Sequence, residues 1–180
     1  MIIGIGYRAR SGKDLAAEHL IANFCFQRRA FADRLKEIAA FSFGLTQAQL
    51  YGDQKEVLDP RYDRTPRWLL QKLGEVFRSS FGAGFWIDRL FDYIMDHGGT
   101  DNRNWVVPDV RHKNECDAIK TWGGVLWLID RPGSVGAQGG IEGHASEHEL
   151  DGHEDRFELV LSNNGTVDEF KSKIDRLMGI

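Results

Sequence analysis

Cysteine is scarce in this sequence: Cys25 and Cys116 are the two present, and they lie far apart. Such a pair does not make a disulfide framework, and reduced thiols in a cytoplasm are the simplest reading. No run of about 18 apolar residues occurs, so no membrane span is expected. The first residues lack the basic, apolar and small-residue order of a signal peptide, which also points to a cytoplasmic protein. Positive charge is in deficit, with 23 Lys and Arg against 27 Asp and Glu. General nucleic-acid binding needs a basic surface and is not expected. No internal repeat is visible. A chain of 180 residues, 42% hydrophobic, is long enough for one domain with a real core, taken here as 1–180.

The arginines are concentrated. Arg8, Arg10, Arg28, Arg29 and Arg34 form one group, and Arg61, Arg64 and Arg67 another. Local arginine clusters on an acidic chain suit a small anionic ligand better than a polymer. Taken one at a time, most of them also fit a solvated surface.

Short apolar runs alternate with amphipathic ones. Residues 1–6 read as a buried strand, and 13–24 as a helix with Leu15, Leu20 and Ile21 inward. Residues 25–30 read as a weaker strand. The stretch 31–43 reads as a helix with Phe31, Leu35, Ile38 and Ala39 on one face. Thr65 followed by Pro66 marks a helix start, and another helix covers 85–95. Strands are expected at 105–108, 125–129 and 157–161, with helices after the first and the last of these. Residues 133–155 are rich in Gly, His and Glu without periodicity and read as a mobile loop or lid. Strands alternating with helices make an α/β fold, a parallel sheet with right-handed crossovers. Ligands then bind beyond the carboxyl ends of the strands. Those ends carry YRARSGKD, PDVR and DRPG.

YRARSGKD is close to the phosphate-loop pattern G-x-x-x-x-G-K-[ST]. Gly12 and Lys13 are in place, Tyr7 replaces the first glycine, and Asp14 replaces the hydroxyl residue. Backbone N–H groups, a helix N-terminus and a lysine are the parts such a loop needs, and all are present. Asp14 is suited to Mg²⁺, directly or through water. The plain alternative is a strand-to-helix turn with an exposed lysine.

RSGKD, with PDVRHKNECDA, DRPG, HASE and LSNNGTVDEF, resembles the deoxynucleoside monophosphate kinases of tailed bacteriophages, within the wider P-loop kinases. The resemblance runs along nearly the whole chain, and aspartate after lysine occurs in that group. It implies a three-layer P-loop kinase fold: a five-stranded parallel sheet, helices on both faces and a mobile lid. It implies a monophosphate side over about 31–100, where TPRWLLQKLGEVFR and FWIDRL fall, and a lid over about 132–155. It further implies ATP and Mg²⁺, small-molecule nucleotides as partners, compatibility with a homodimer, and the host cytoplasm for a phage-encoded chain.

Phosphoryl transfer between nucleotides needs positioning and charge neutralisation more than a strong base. Under the resemblance, Arg10, Ser11, Gly12, Lys13, Asp14 and Leu15 bind ATP, with Asn163 on the adenine side. Asp14 and Asp109 anchor the metal. Arg34, Lys36, Arg67, Gln71, Trp86, Asp109 and Arg111 face the monophosphate. Arg131 is the lid arginine, with Ser146 and Glu147 ordering the closed lid, and Lys13, Arg131 and Asp109 carry catalysis. Trp86 reads equally as a core aromatic, and Asn163 as a turn residue. His144, His148 and His153 match no zinc spacing. Two alternatives share much of the layout: another small-molecule kinase, such as dephospho-coenzyme A kinase or phosphomevalonate kinase, or a nucleotide-binding regulatory protein without turnover.

Overall fold

The computed structural model describes residues 1–6, 10–133 and 140–179. The apolar strand that opens the chain, β1 (Ile2–Gly6), is buried along its length at the centre of a five-stranded sheet. Its neighbours are β3 (Asn104–Val107) and β4 (Val125–Asp130). Outside these lie β2 (Phe26–Arg28) and β5 (Leu159–Ser162), and every pairing is parallel. The order is therefore β2-β3-β1-β4-β5.

Parallel neighbours require crossovers, and helices supply them. After β1 comes α1 (Lys13–Phe24). Between β2 and β3 lie α2 (Asp33–Phe43), α3 (Gln47–Tyr51), α4 (Pro66–Phe81) and α5 (Phe85–Asp96). Then α6 (Lys113–Thr121) precedes β4, α7 (Ala145–His148) precedes β5, and α8 (Val167–Met178) closes the fold.

Strand alternation splits the interior into two cores. Ile3, Ile5, Val106, Trp127 and Ile129 face α1 and α8, where Ala16, Leu20, Phe170 and Ile174 meet them. Ile2, Trp105, Val107, Leu126 and Leu128 face α5 and α6, against Leu90, Ile94 and Ile119. The result is the three-layer α/β arrangement expected, with helices on both faces of the sheet. At Gly4 a Cβ would stand 2.8 Å from Leu126 Cδ2 of β4 and 3.2 Å from Ile119 Cγ1 of α6, so a side chain there would have to push both aside. A third cluster, with Ala39, Leu45, Leu50, Leu69 and Leu70, joins α2, α3 and α4 beside the sheet.

Several details differ from the sequence reading. Ile21 is 38% exposed, because the buried stripe of α1 runs through Ala16, Ala17 and Leu20. The stretch between α2 and Thr65 holds α3 and a 3-10 turn, Asp53–Glu56. Thr46 caps α3 through a capping box with Gln49. The chain after β4 is more firmly seated than an apolar-poor loop: α7 lies within it, and Leu150 is 1% exposed, packed in the core with Phe157. The glycine-rich part at 134–139 lies outside the described residues.

Leu150 distinguishes an anchored segment from a loose one. Leu150→Ala is expected to destabilise the fold by about 3 kcal/mol, as core truncations do. Urea unfolding checks this, and a loss below about 0.5 kcal/mol, typical of surface positions, would show that the segment is not anchored.

Candidate active site

The loop after β1 turns into α1 through left-handed backbone at Arg10 (φ 61°) and Gly12 (φ 106°). Residues 7–9, including Tyr7 in place of the usual glycine, lie outside the described residues. Gly12 is the N-cap of α1 and no side chain caps it, so the first N–H groups of the helix face forward, as an anion site requires. Asn163 braces this turn. Its backbone N–H donates to the Asp130 carbonyl at 2.7 Å, and its side-chain amide donates to the Ser11 carbonyl at 2.8 Å. A Cβ at Gly12 would collide with that amide. Ser11 is buried, and its hydroxyl has no partner among the described residues. Burial, with Arg111 nearby, pushes the Lys13 ammonium down to about 8.

Two cavities meet at this loop. The larger, about 510 Å³, lies between α2, α4, the 3-10 turn and the end of β3. The smaller, about 290 Å³, is lined by Arg131, Asn163, Gly165 and Val167. Arg10, Lys13 and Asp14 line both.

Cations converge on the larger cavity and are bridged by carboxylates. Arg10 pairs with Glu56 at 3.0 Å, and Glu56 pairs with Arg67 at 3.1 Å. Glu147 stands 3.6 Å from Arg67 and 2.8 Å from Arg111. Arg111 also donates to the Ser146 carbonyl. The Arg67 Nε is buried without a partner among the described residues. Lys36 rests on the Tyr51 ring at 3.8 Å, and burial lowers its pKa. Burial and the cations Lys36, Arg67 and Arg111 push Lys55 down to about 7. Asp109 accepts N–H bonds from Phe31 (2.9 Å) and Ala32 (3.0 Å), one on each oxygen.

Behind this layer, Glu115 accepts from the backbone N–H groups of Arg111 (2.8 Å) and His112 (3.1 Å) and from the Arg78 side chain (2.9 Å). Burial raises its pKa to about 7, against the pull of Arg78 and the two N–H groups. His112 meets Glu149 through Nδ1 at 2.6 Å, and its Nε2 is buried with no partner among the described residues. Protonating Nε2 would bury a bare N–H, which agrees with burial and Arg78 holding the imidazole below its ordinary 6.5.

The sequence-assigned residues separate into groups. Lys13, Asp14, Lys36, Arg67, Gln71, Trp86, Asp109, Arg111, Ser146 and Glu147 all line the larger cavity, joined by Arg10. Gly12, Leu15, Arg131 and Asn163 line the smaller one. Trp86 does so from the core, 2% exposed, with its indole N–H donating to the Gly74 carbonyl. The Gln71 side-chain oxygen accepts the Ile141 N–H at 2.6 Å. Arg34 does not join them. It lies half-exposed on α2, paired with Glu37 at 2.6 Å, and lines neither cavity. Lys36, two residues on, is turned about 200° around the helix and takes the inward side. Sequence reasoning missed Lys55, Glu56, Arg78 and Glu115 and named Arg28 only within an arginine cluster; all five line the larger cavity. The Thr46–Gln49 capping box was the one local signal for the segment carrying Lys55 and Glu56.

Two outcomes test this geometry. Asn163→Ala, which frees the Ser11 carbonyl and loosens the loop, is expected to weaken ADP binding about tenfold, the loss of one buried hydrogen bond; calorimetry checks it. The unfolded state gains a His112 proton as pH falls through about 6.5 while the folded state resists it, so this residue removes stability between pH 7 and 5. Glu115 acts in the opposite sense in that window. The difference between proteins therefore reports on His112: the urea midpoint of His112→Asn is expected to fall less than that of the wild type over this range, and parallel slopes would exclude it.

The family model for deoxynucleotide monophosphate kinase matches residues 54–174. A protein of Acanthamoeba polyphaga mimivirus, provisionally given the same description, is 35% identical over 97% of this chain and 94% of its own. The deoxynucleotide monophosphate kinase of Enterobacteria phage T4 is 31% identical over 63% of this chain, and that of Escherichia phage RB69 28% identical over 62%. The matches span 45% and 44% of those phage proteins. Among solved structures, the shikimate kinase of Aquifex aeolicus (12% identity, covering 99% of this chain and 96% of that one) and the dephospho-CoA kinase of Campylobacter jejuni (11%, covering 98% and 95%) both give a TM-score of 0.50. These two show the fold alone. A five-stranded parallel sheet of the P-loop kinase type, the family match and the near full-length viral relative lead to one conclusion: this chain belongs to the deoxynucleotide monophosphate kinase family.

Proposed function

We infer that the chain transfers the γ-phosphate of ATP to a deoxynucleoside monophosphate, giving ADP and a deoxynucleoside diphosphate. The observation that carries this is the sharing of Arg10, Lys13 and Asp14 between two cavities. One phosphate loop then serves two ligands that meet at it. ATP takes the smaller cavity, with its phosphates on the N–H groups of Gly12 through Leu15 and on Lys13, and its base toward Asn163. The acceptor takes the larger cavity, its phosphate toward Lys36, Arg67 and Arg111, with Gln71 and Trp86 framing the rest.

An oxygen of the acceptor phosphate attacks the γ-phosphorus. The bond from that phosphorus to the β–γ bridging oxygen breaks, and its electron pair leaves on ADP. The attacking oxygen is already ionised, so no strong base is needed, and charge on the transferring group is the main burden. Lys13 and Arg111 meet that charge from within, and Arg131 from the mouth of the smaller cavity. The segment over about 132–155 acts as the lid: Ser146 and Glu147 hold Arg111, and closure excludes water that would hydrolyse ATP.

We assign Mg²⁺ to Asp14 and Asp109, which line the larger cavity beside Lys13. Each Asp109 oxygen accepts one N–H and keeps a lone pair. No group of three or more metal-binding side chains occurs among the described residues. That donor set fits an ion held by one or two carboxylates, water and substrate phosphates. When bound, Mg²⁺ supplies charge neutralisation on the phosphoryl oxygens. No helix among the described residues is long and apolar enough to cross a membrane, and cytoplasm, a host's for a viral chain, supplies both substrates.

ADP release measured with ATP against each deoxy- and ribonucleoside monophosphate tests the assignment; turnover with none of them would end it. Lys13→Ala is expected to lower kcat about a hundredfold or more, the scale of losing one charge-stabilising group, while the urea midpoint is kept. Near-normal turnover in the folded variant would remove Lys13 from the mechanism.

A further inference from the structure

Lys55 belongs to none of the loop, strand-end or glycine-rich motifs. It stands in the 3-10 turn Asp53–Glu56, and its side chain lines the larger cavity but not the smaller. Lys36 of α2, Arg67 of α4, and Arg111 and Asp109 beyond β3 set its electrostatic surroundings, and cations outnumber carboxylates among them.

The other cations around this cavity have partners within the chain. Arg28 pairs with Asp33, Arg67 with Glu56 and Glu147, Arg78 with Glu115, and Arg111 with Glu147. Lys36 has the Tyr51 ring. Lys55 has neither a hydrogen bond nor an ion pair among the described residues. An ammonium drawn partly out of water among like charges is unfavourable unless an anion offsets it. Among the described residues Asp109 contributes some negative charge at a distance, but no carboxylate forms an ion pair with Lys55, so the compensating charge is left for a ligand to bring. That ligand occupies the cavity of Arg67 and Arg111, away from Arg131 and Asn163.

The turn is also tied to two other elements through one residue. Glu56, next in sequence, holds Arg10 of the phosphate loop at 3.0 Å and Arg67 at 3.1 Å. These contacts aim the turn at the cleft. We propose that Lys55 is a ligand of the acceptor's phosphate, and that residues 47–56 form the clamp that delivers it; this rests on reading the larger cavity as the acceptor site.

The experiment uses the deoxynucleoside monophosphate that the wild-type protein phosphorylates fastest, with Lys55→Met and Lys55→Arg. Calorimetry gives Kd for that monophosphate and for ADP, and steady-state kinetics give KM and kcat. Lys55→Met is expected to raise monophosphate Kd and KM about tenfold or more, the loss of one charge-assisted hydrogen bond. ADP affinity stays within about twofold, and Lys55→Arg recovers much of the difference. Unchanged monophosphate affinity in Lys55→Met would overturn the proposal while leaving the kinase reading intact. An equal loss of ADP affinity would also overturn it, by showing that Lys55 supports the fold of the cleft. A wild-type protein that neither binds nor phosphorylates any monophosphate would bring down both this proposal and the functional reading beneath it.

Discussion

Like charges gathered in a cleft repel one another, and the organisation of this molecule follows from how that repulsion is met. More lysines and arginines than carboxylates line the larger cavity. Two of the carboxylates present serve more than one cation: Glu56 bridges Arg10 and Arg67, and Glu147 bridges Arg67 and Arg111. Glu115 holds Arg78 and, through two backbone N–H groups, the turn that aims Arg111. Without these bridges the cations would have to turn outward to water. With them, the cleft keeps a positive character while each guanidinium stays in place. Burial first, and then the part of the repulsion that is not cancelled, lowers the pKa values of Lys13 and Lys55.

The sheet makes that convergence geometrically possible. All five strands are parallel, so their carboxyl ends share one edge, and loops from β1, β3 and β4 open on the same side. The two cores hold the strands from opposite faces, leaving the loops as the variable part. Asn163 is the cross-tie: a residue after β5 donates to the carbonyl of Ser11 after β1. Because β4 lies between those two strands, the brace also fixes the exit of β4 through Asp130.

Much of this was legible in the sequence. Strong apolar strands and the Gly12-Lys13 pair mark β1 and the start of α1, and Thr65-Pro66 marks α4. Lys13, Asp109 and Arg111 stand out because charge at a strand end has few structural reasons to be there. Arg34 and Lys36 were both assigned to the site, since a single amphipathic stretch does not fix helical phase closely enough to separate positions two apart. The five-residue α3 is too short to show a period, although its capping box was written in Thr46 and Gln49. Arg28 showed only as a member of an arginine cluster, and Arg78 and Glu115 offered no local signal at all. Their meeting depends on how α2, α4 and α6 stack beside the sheet, which is a tertiary outcome. Leu150 is a similar case: one apolar residue in a polar stretch shows no pattern, yet it seats the segment in the core.

The position of Glu147 has a further consequence. Its carboxylate already lies against both Arg67 and Arg111, so an external anion that approaches the same N–H groups competes with it. Association becomes an exchange of one counterion for another, with the chain holding the displaced one in reserve. The affinity such a site displays is a difference between two ion pairs, smaller than either. When the guest departs, the tethered carboxylate recaptures the arginines at high local concentration, and the cleft resets without recruiting ions from solution.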